Sequence, residues 1–296
     1  MPKISVVINP VSGRGRGAKI GAQVVEQLKQ AGSLGTVISA DSAEASLDRT
    51  REIVASGSDG IIAVGGDGLV HLVLQAVAQS GVGLGIVPAG TGNDFARALG
   101  LPLNSPNEIV DRVLTSQPGL TDLGLANQRF FGAILSTGFD SMVNERANKM
   151  SWPRGPIRYN LAIARELPVF KPRQYRFSID GESFNTEAML VAVANAPSYG
   201  GGMKICPQAE IHDGWLDVLI LKPLSKLEFL RVFPRVYAGT HINHPAVVIR
   251  RARTVEIEAD AISYADGERQ GELPTRVTIA QNALLAWNSL RDPLNT

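Results

Sequence analysis

Hydrophobic positions along this chain follow two different rhythms. In the first part, short apolar runs alternate with stretches of helical spacing: a strand at Ile4–Ile8, a helix over Ala18–Ala31, a strand at Thr36–Ser39, a helix over Ala43–Ala55 and a strand at Gly60–Val64. A helix at Val70–Gln79, a strand at Val82–Val87 and helical patterns through Asp94–Gly100 and Asn107–Leu114 continue the series. Continuous apolar strands alternating with helices predict a mostly parallel, doubly wound α/β sheet covered on both faces. After about Leu120 the period becomes two: Tyr175-Arg176-Phe177-Ser178-Ile179 alternates apolar and polar and runs into an Asp-Gly turn. Further strand signals at Ala188–Val193, Leu216–Leu221, Val247–Ile249, Val255–Ile257 and Arg276–Ala280, with a helix over Ile157–Leu167, predict a β-rich, sandwich-like second domain. The change of rhythm divides the chain into 1–122 and 123–296, with the last residues free to return to the first domain.

Composition narrows the reading. With 29 basic and 28 acidic side chains the chain has no global field to attract nucleic acid. The single cysteine, Cys206, excludes an internal disulfide framework, reads as a small core residue and fits a reducing cytoplasm. The apolar run Ile4–Ile8 is too short for a signal peptide, and no segment offers the roughly eighteen uninterrupted apolar residues of a membrane span.

Candidate chemistry concentrates where strands end in glycine. Gly65-Gly66-Asp67-Gly68 follows Ile61-Ile62-Ala63-Val64, so bare backbone N–H groups become available to phosphate oxygens. A carboxylate repels phosphate unless a cation stands between them, so Asp67 suggests a metal–nucleotide complex. Asn9-Pro10-Val11-Ser12-Gly13-Arg14-Gly15-Arg16-Gly17 also joins a strand to a helix, where backbone donors and the helix dipole favour anions. Its spacing satisfies a loose dinucleotide fingerprint with Asp41 as ribose partner, although Asn9-Pro10 lengthens the turn, and no P-loop is present because Ile20 follows Lys19. Pro88-Ala89-Gly90-Thr91-Gly92-Asn93-Asp94-Phe95-Ala96 is a third strand-to-helix loop, in which Asn93 or Asp94 can cap the helix. In an open α/β sheet three such loops converge at the carboxyl ends of the strands.

Other features carry weaker signals. Asp180-Gly181-Glu182 and Asp266-Gly267-Glu268 both read as hairpin turns, and spacing alone does not separate them. Asp213-Gly214 reads equally as a turn or a metal site, His71 as a packing residue at a helix start, and His241 with His244 as a poorly spaced metal pair. The basic run from Trp152 through Arg154, Arg158, Arg165, Lys171, Arg173 and Arg176 is either a solvated face or a docking surface for an anionic leaflet. No stacking motif accompanies it, which argues against nucleic acid.

Taken in order, NPVSGRGRG from Asn9, GGDGLVH from Gly65, PAGTGNDFA from Pro88, DLG from Asp122, NAPSYGGGMKICPQAEIHDGWLDV from Asn195 and YADGE ending at Glu268 resemble the diacylglycerol kinase-like lipid kinases, which include sphingosine and ceramide kinases. The resemblance implies a nucleotide-binding α/β domain followed by a β-sandwich-like lipid domain. By position, Asn9, Ser12, Gly13, Ser39, Gly65, Gly66, Asp67, Gly68 and Thr91 would line ATP. Asp67, Asp94 and Asp122 would hold Mg²⁺, largely through water, and Glu268 would be the general base. A second, structural metal would use the Asp213 carboxylate with main-chain oxygens of Glu210 and Trp215. The chain departs from common bacterial members in having Leu69, His71 and Leu72 after the GGDG turn, a form similar to the sphingosine kinase version. The implied partners are ATP and a lipid taken from a membrane surface by a cytoplasmic, transiently bound protein, with room for a homodimer and no nucleic acid. An NAD kinase-like enzyme and a non-catalytic nucleotide- or lipid-binding module remain the alternatives.

Overall fold

The computed structural model describes residues 2–39, 42–150, 152 and 156–289; Asp41, the ribose partner considered above, and Arg154 lie outside them, as does the side chain of Arg158. The first elements are β1 (Ile4–Ile8), α1 (Ser12–Gln30), β2 (Leu34–Ile38), α2 (Ala43–Ala55), β3 (Gly60–Gly65), α3 (Asp67–Val77), β4 (Gly83–Pro88), α4 (Asp94–Ala98), α5 (Pro106–Thr115) and β5 (Gly119–Ala126). There follow β6 (Arg129–Phe131), β7 (Ile134–Gly138), α6 (Phe139–Lys149), α7 (Pro156–Glu166), β8 (Arg173–Ile179), β9 (Glu182–Ala188), β10 (Leu190–Ala194) and β11 (Leu216–Leu221). The chain continues through α8 (Lys226–Val232), β12 (Val247–Ala252), β13 (Thr254–Glu258), β14 (Ile262–Ala265), β15 (Glu268–Glu272) and β16 (Thr275–Ala286).

These elements form two compact units, Met1–Leu123 with Gln281–Thr296, and Gly124–Ala280. In the first, β2, β1, β3 and β4 are parallel neighbours in that order, and the end of β16 joins β4 in parallel through Leu285 and Ala286. Every residue of β1, β3 and β4 is buried, which is why their sequences are unbroken apolar runs rather than alternating ones. Helices cover the sheet: α3 buries Val70, Val73, Leu74 and Val77 at helical spacing, and α5 buries Ile109, Val110 and Val113. Helix α1 opens at Ser12, earlier than the expected Ala18, but Gly13, Arg14 and Gly15 are all left-handed, so its regular turns begin only after the glycine loop, close to the expected start.

The second unit is antiparallel. One sheet runs β12-β11-β10-β7-β14-β15, and the other brings β16, β13, β8 and β9 side by side. Their inner faces share one apolar cluster containing Leu135, Tyr175, Phe177, Val193, Ile220, Val255 and Val277. Full burial of a side chain of this size contributes about 1.5–3 kcal/mol. The alternation that predicted β8 is the pleat itself: Tyr175, Phe177 and Ile179 point inward.

Candidate active site

Three loops meet at the carboxyl ends of β1, β3 and β4. The β1 loop is tied to β3 by the Asn9 N–H, which donates to Val64 O at 3.0 Å, and the β4 loop by the Ala89 N–H, which donates to Gly65 O at 2.8 Å. The approach is so close that only glycine fits. A Cβ on Gly13, whose φ is +57°, would stand 2.0 Å from Ala89 O, and one on Gly90 would stand 2.6 Å from the Cα of Gly66. A Cβ on Gly66 would in turn stand 3.5 Å from the Ser12 hydroxyl. Arg16 crosses the same loops, its guanidinium donating to Gly90 O at 3.2 Å. Ser39 is exposed just past the end of β2, beside β1, Thr91 is exposed in the β4 loop, and Gly68 is exposed in the first turn of α3. Asn9, Ser12, Gly13, Gly65, Gly66 and Asp67 therefore gather at one end of the sheet.

Asp67 opens α3, and its carboxylate bridges two loops. Oδ2 accepts from the Asn93 N–H at 2.8 Å and Oδ1 from the Asp94 N–H at 2.6 Å, which caps the first turn of α4 from 26 residues away in sequence. Asn93 is left-handed at φ +55° and closes the loop on itself, its amide accepting from Gly90 N and donating to Gly90 O, both at 3.1 Å. A single point, where a Cβ on Gly92 would be, lies 2.4 Å from Asp67 Oδ2 and 3.3 Å from Asp94 Oδ2. Two carboxylates held this close make an oxygen-only donor set that fits a hard, hydrated cation such as Mg²⁺. Asp122 is buried in β5, and its Oδ1 accepts from the Asn282 N–H at 2.7 Å, fixing the left-handed turn in β16. Among the described residues no three His, Cys, Asp or Glu side chains come close enough to form a metal cage, so Asp122 does not complete a three-carboxylate cluster with Asp67 and Asp94.

In the second unit, Glu268 is the first residue of β15. The turn before it has φ +51° at Asp266 and +85° at Gly267, as a type I′ hairpin requires. The Asp266 carboxylate accepts from the N–H groups of Gly132, Ala133 and Ile134 at 2.8, 2.9 and 3.3 Å, so the turn is pinned to the strand beside it. Glu268 is exposed, and among the described residues it forms no ion pair; the adjacent Arg269 instead donates to Glu145 at 3.4 Å. The proposed second metal position is differently built. Asp213 accepts the Trp215 N–H at 2.9 Å and is ion-paired with Arg251, whose guanidinium also lies 5.3 Å from the Trp215 ring centre. A metal held by Asp213 with the main-chain oxygens of Glu210 and Trp215 would have to share that carboxylate with Arg251. Burial pushes the neighbouring Asp217 carboxyl up, with Arg251 opposing the shift.

Several other expectations resolve into packing. His71 is buried in α3, Cys206 is buried with its thiol pushed well up by desolvation, and His241 bonds Ile205 O through Nε2 while His244 faces Glu228. The basic run is not a uniform cationic face, because Arg173 pairs with Asp260 and Arg176 with Glu258. A cavity of about 390 Å³ beside α6 is lined by Met142 and Leu273 but also by Glu145, Arg173, Asp260 and Glu272, so it is not a hydrocarbon slot. Sequence reasoning missed Asp140, in the first turn of α6. Its carboxylate accepts from Ser136 Oγ at 2.5 Å and Asn144 Nδ2 at 3.2 Å, and burial pushes its pKa up against the hydrogen bonds from Ser136 and Tyr199. Only the i, i+4 spacing of Asp140 and Asn144 on α6 could have signalled part of this cluster, since Ser136 lies on β7.

Comparison with known proteins agrees with both halves of this architecture. Residues 3–126 match the Diacylglycerol kinase catalytic domain and residues 133–286 the YegS C-terminal NAD kinase beta sandwich-like domain. The chain is 37% identical over 289 residues to a diacylglycerol kinase of Mycobacterium tuberculosis, covering 95% of this chain and 94% of that one. It is 32% identical to a diacylglycerol kinase of Bacillus subtilis strain 168, covering 93% and 92%. A crystal structure of a diacylglycerol kinase from Bacillus anthracis str. Sterne superposes with a TM-score of 0.79 at 25% identity, covering 97% of each chain. With its glycine-lined loops, its sandwich and relatives matched along nearly their whole length, the chain belongs to the diacylglycerol kinase family, phosphotransferases that use an alcohol group as acceptor.

Proposed function

We propose that the protein transfers the γ-phosphoryl group of ATP to the hydroxyl of a lipid, with diacylglycerol as the leading acceptor and phosphatidic acid as product. The observation that carries this reading is the convergence of the β1, β3 and β4 loops around Asp67. Phosphoryl transfer needs in-line positioning and neutralisation of charge on the non-bridging oxygens, and there is little covalent chemistry for the protein to perform. Backbone N–H groups of the glycine loops bind phosphate oxygens, and the N-terminus of α3 adds its dipole. Asp67 and Asp94 would hold Mg²⁺, largely through water, and the bound ion would supply the positive charge that lets a triphosphate approach two carboxylates. Asp122 supports the site by holding the Asn282 turn. Glu268, exposed and without an ion pair among the described residues, accepts the proton of the acceptor hydroxyl.

Radiolabelled ATP offered with dispersed diacylglycerol, sphingosine, ceramide and phosphatidylinositol, and separately with NAD, tests the acceptor. Phosphorylation of diacylglycerol that stops on chelation of divalent ions supports the reading, whereas label entering NAD alone overturns it. The sandwich's likeness to NAD kinase makes that control necessary. Asp67→Asn removes turnover and also lowers stability by about 1–3 kcal/mol, because the Asn93 and Asp94 N–H groups bond separate carboxylate oxygens and one of them would face the amide NH2 instead; thermal unfolding alongside the kinase assay checks both parts.

A further inference from the structure

Helix α8 has two apolar sides. Phe229 and Val232 are buried, as a surface helix requires, yet Leu227 and Leu230, one turn apart on the opposite side, are 70% and 53% exposed. The segment after α7 adjoins it: Lys226 Nζ donates to Pro168 O, which brings Val169, 65% exposed, to the start of α8. Tyr237, just beyond the helix, is 55% exposed. Scattered exposed apolar side chains are ordinary, but four of the nine large ones among the described residues fall on these two adjoining segments.

The patch has a rigid base and a charged surround. Beneath it Phe139 meets Phe170 edge-on at 5.2 Å and Phe229 at 5.1 Å, and Phe229 stacks on Phe233 at 5.7 Å, so the outward residues stand on packed rings. Lys222, Lys226, Arg231 and Arg235 are exposed around it, and the sole acidic residue between 222 and 237, Glu228, faces His244 at 3.3 Å. Apolar side chains interleaved with snorkelling cations match the boundary between acyl chains and anionic headgroups. A second copy of the chain fits poorly, because a two-fold contact would bring the same cationic set, Lys226, Arg231 and Arg235, from both copies into one interface.

We propose that this face, built from α8 and the Pro168–Val169 segment, docks the protein on an anionic lipid bilayer, an inference that rests on the lipid-kinase reading for its purpose but not for its geometry. Full-length protein is sedimented with vesicles of phosphatidylcholine alone and of phosphatidylcholine mixed with phosphatidylglycerol. The wild type is expected to bind the mixed vesicles. Leu227→Ser with Leu230→Ser binds them about tenfold more weakly, and Arg231→Glu with Arg235→Glu loses the preference for anionic over zwitterionic vesicles. Both variants keep the wild-type melting temperature and its activity on a short-chain diacylglycerol dispersed as monomers. Unchanged vesicle binding in both variants overturns the proposal, as does a change confined to self-association in sedimentation equilibrium. Vesicle binding that depends on these residues in a protein that phosphorylates no lipid supports the docking face and overturns the kinase reading instead.

Discussion

Asp180-Gly181-Glu182 and Asp266-Gly267-Glu268 are one tripeptide folded twice into the same two-residue hairpin turn, with both central residues at positive φ. In each, the aspartate reaches back to bind a neighbouring segment: Asp180 accepts from Arg253 N and Thr254 N, Asp266 from three successive N–H groups starting at Gly132. The two turns part at the glutamate. Glu182 is ion-paired at 3.1 Å with Arg250, which also stacks over Phe184 at 4.6 Å. Glu268 has a cation next to it in sequence, but Arg269 is turned toward Glu145. The same turn chemistry therefore leaves one glutamate paired and the other, among the described residues, without an ion pair, and the difference is set by where the nearest guanidinium is held rather than by the tripeptide.

The sharpest way to break that comparison is to neutralise each glutamate in turn. Glu268→Gln should lower kcat by about a hundred- to ten-thousandfold with ATP affinity little changed, the usual range for loss of a general base. Glu182→Gln should leave kcat and KM at wild-type values. Steady-state kinetics on both variants decide it: equal losses would mean the ion pair at Glu182 does not distinguish the turns, and a matched loss of ATP binding in Glu268→Gln would place that residue with the nucleotide.

How much of this could be read before the coordinates depended on the range of the interaction. Buried parallel strands announce themselves in continuous apolar runs, so β1, β3 and β4 and the glycine loops that follow them were legible. The pleat of β8 and the two Asp-Gly turns were legible for the same local reason. Contacts between distant residues leave no period in the sequence. The capping of α4 by Asp67, the hold of Asp122 on the Asn282 backbone and the neutralisation of Asp213 by Arg251 all join residues more than 20 positions apart. Asp213 shows the cost: its position in a recognised motif implied a metal, while the guanidinium that occupies its carboxylate lies on another strand. Short strands such as β6, β14 and β15 were missed because three to five residues do not establish a rhythm.

The aspartates offer a second, smaller contrast, in stability. Asp266→Ala orphans three backbone donors that are partly buried, and should cost about 2–3 kcal/mol by thermal or urea unfolding. Asp180→Ala exposes its donors to solvent, which replaces the lost bonds, so the expected cost is about 1 kcal/mol. Activity should fall only in Asp266→Ala, because only that turn carries the glutamate proposed as the base. Equal destabilisation with equal activity would show that Asp266 anchors its strand without orienting Glu268.

The smallest effect concerns the ion pair itself. Arg250→Met removes the partner of Glu182 while keeping an unbranched apolar stem to lie over Phe184. Both charges are well exposed, the arginine at 39% and the glutamate at 70%, so solvent screens the pair and the loss should stay below about 1 kcal/mol. The variant leaves Glu182 as open as Glu268, yet kinase activity should not change, since the freed carboxylate still sits on the hairpin of β8 and β9 and not on that of β14 and β15. A rise in turnover, or rescue of Glu268→Gln by adding Arg250→Met, would mean that an unpaired glutamate on either turn can serve as the base and that position in the fold contributes nothing.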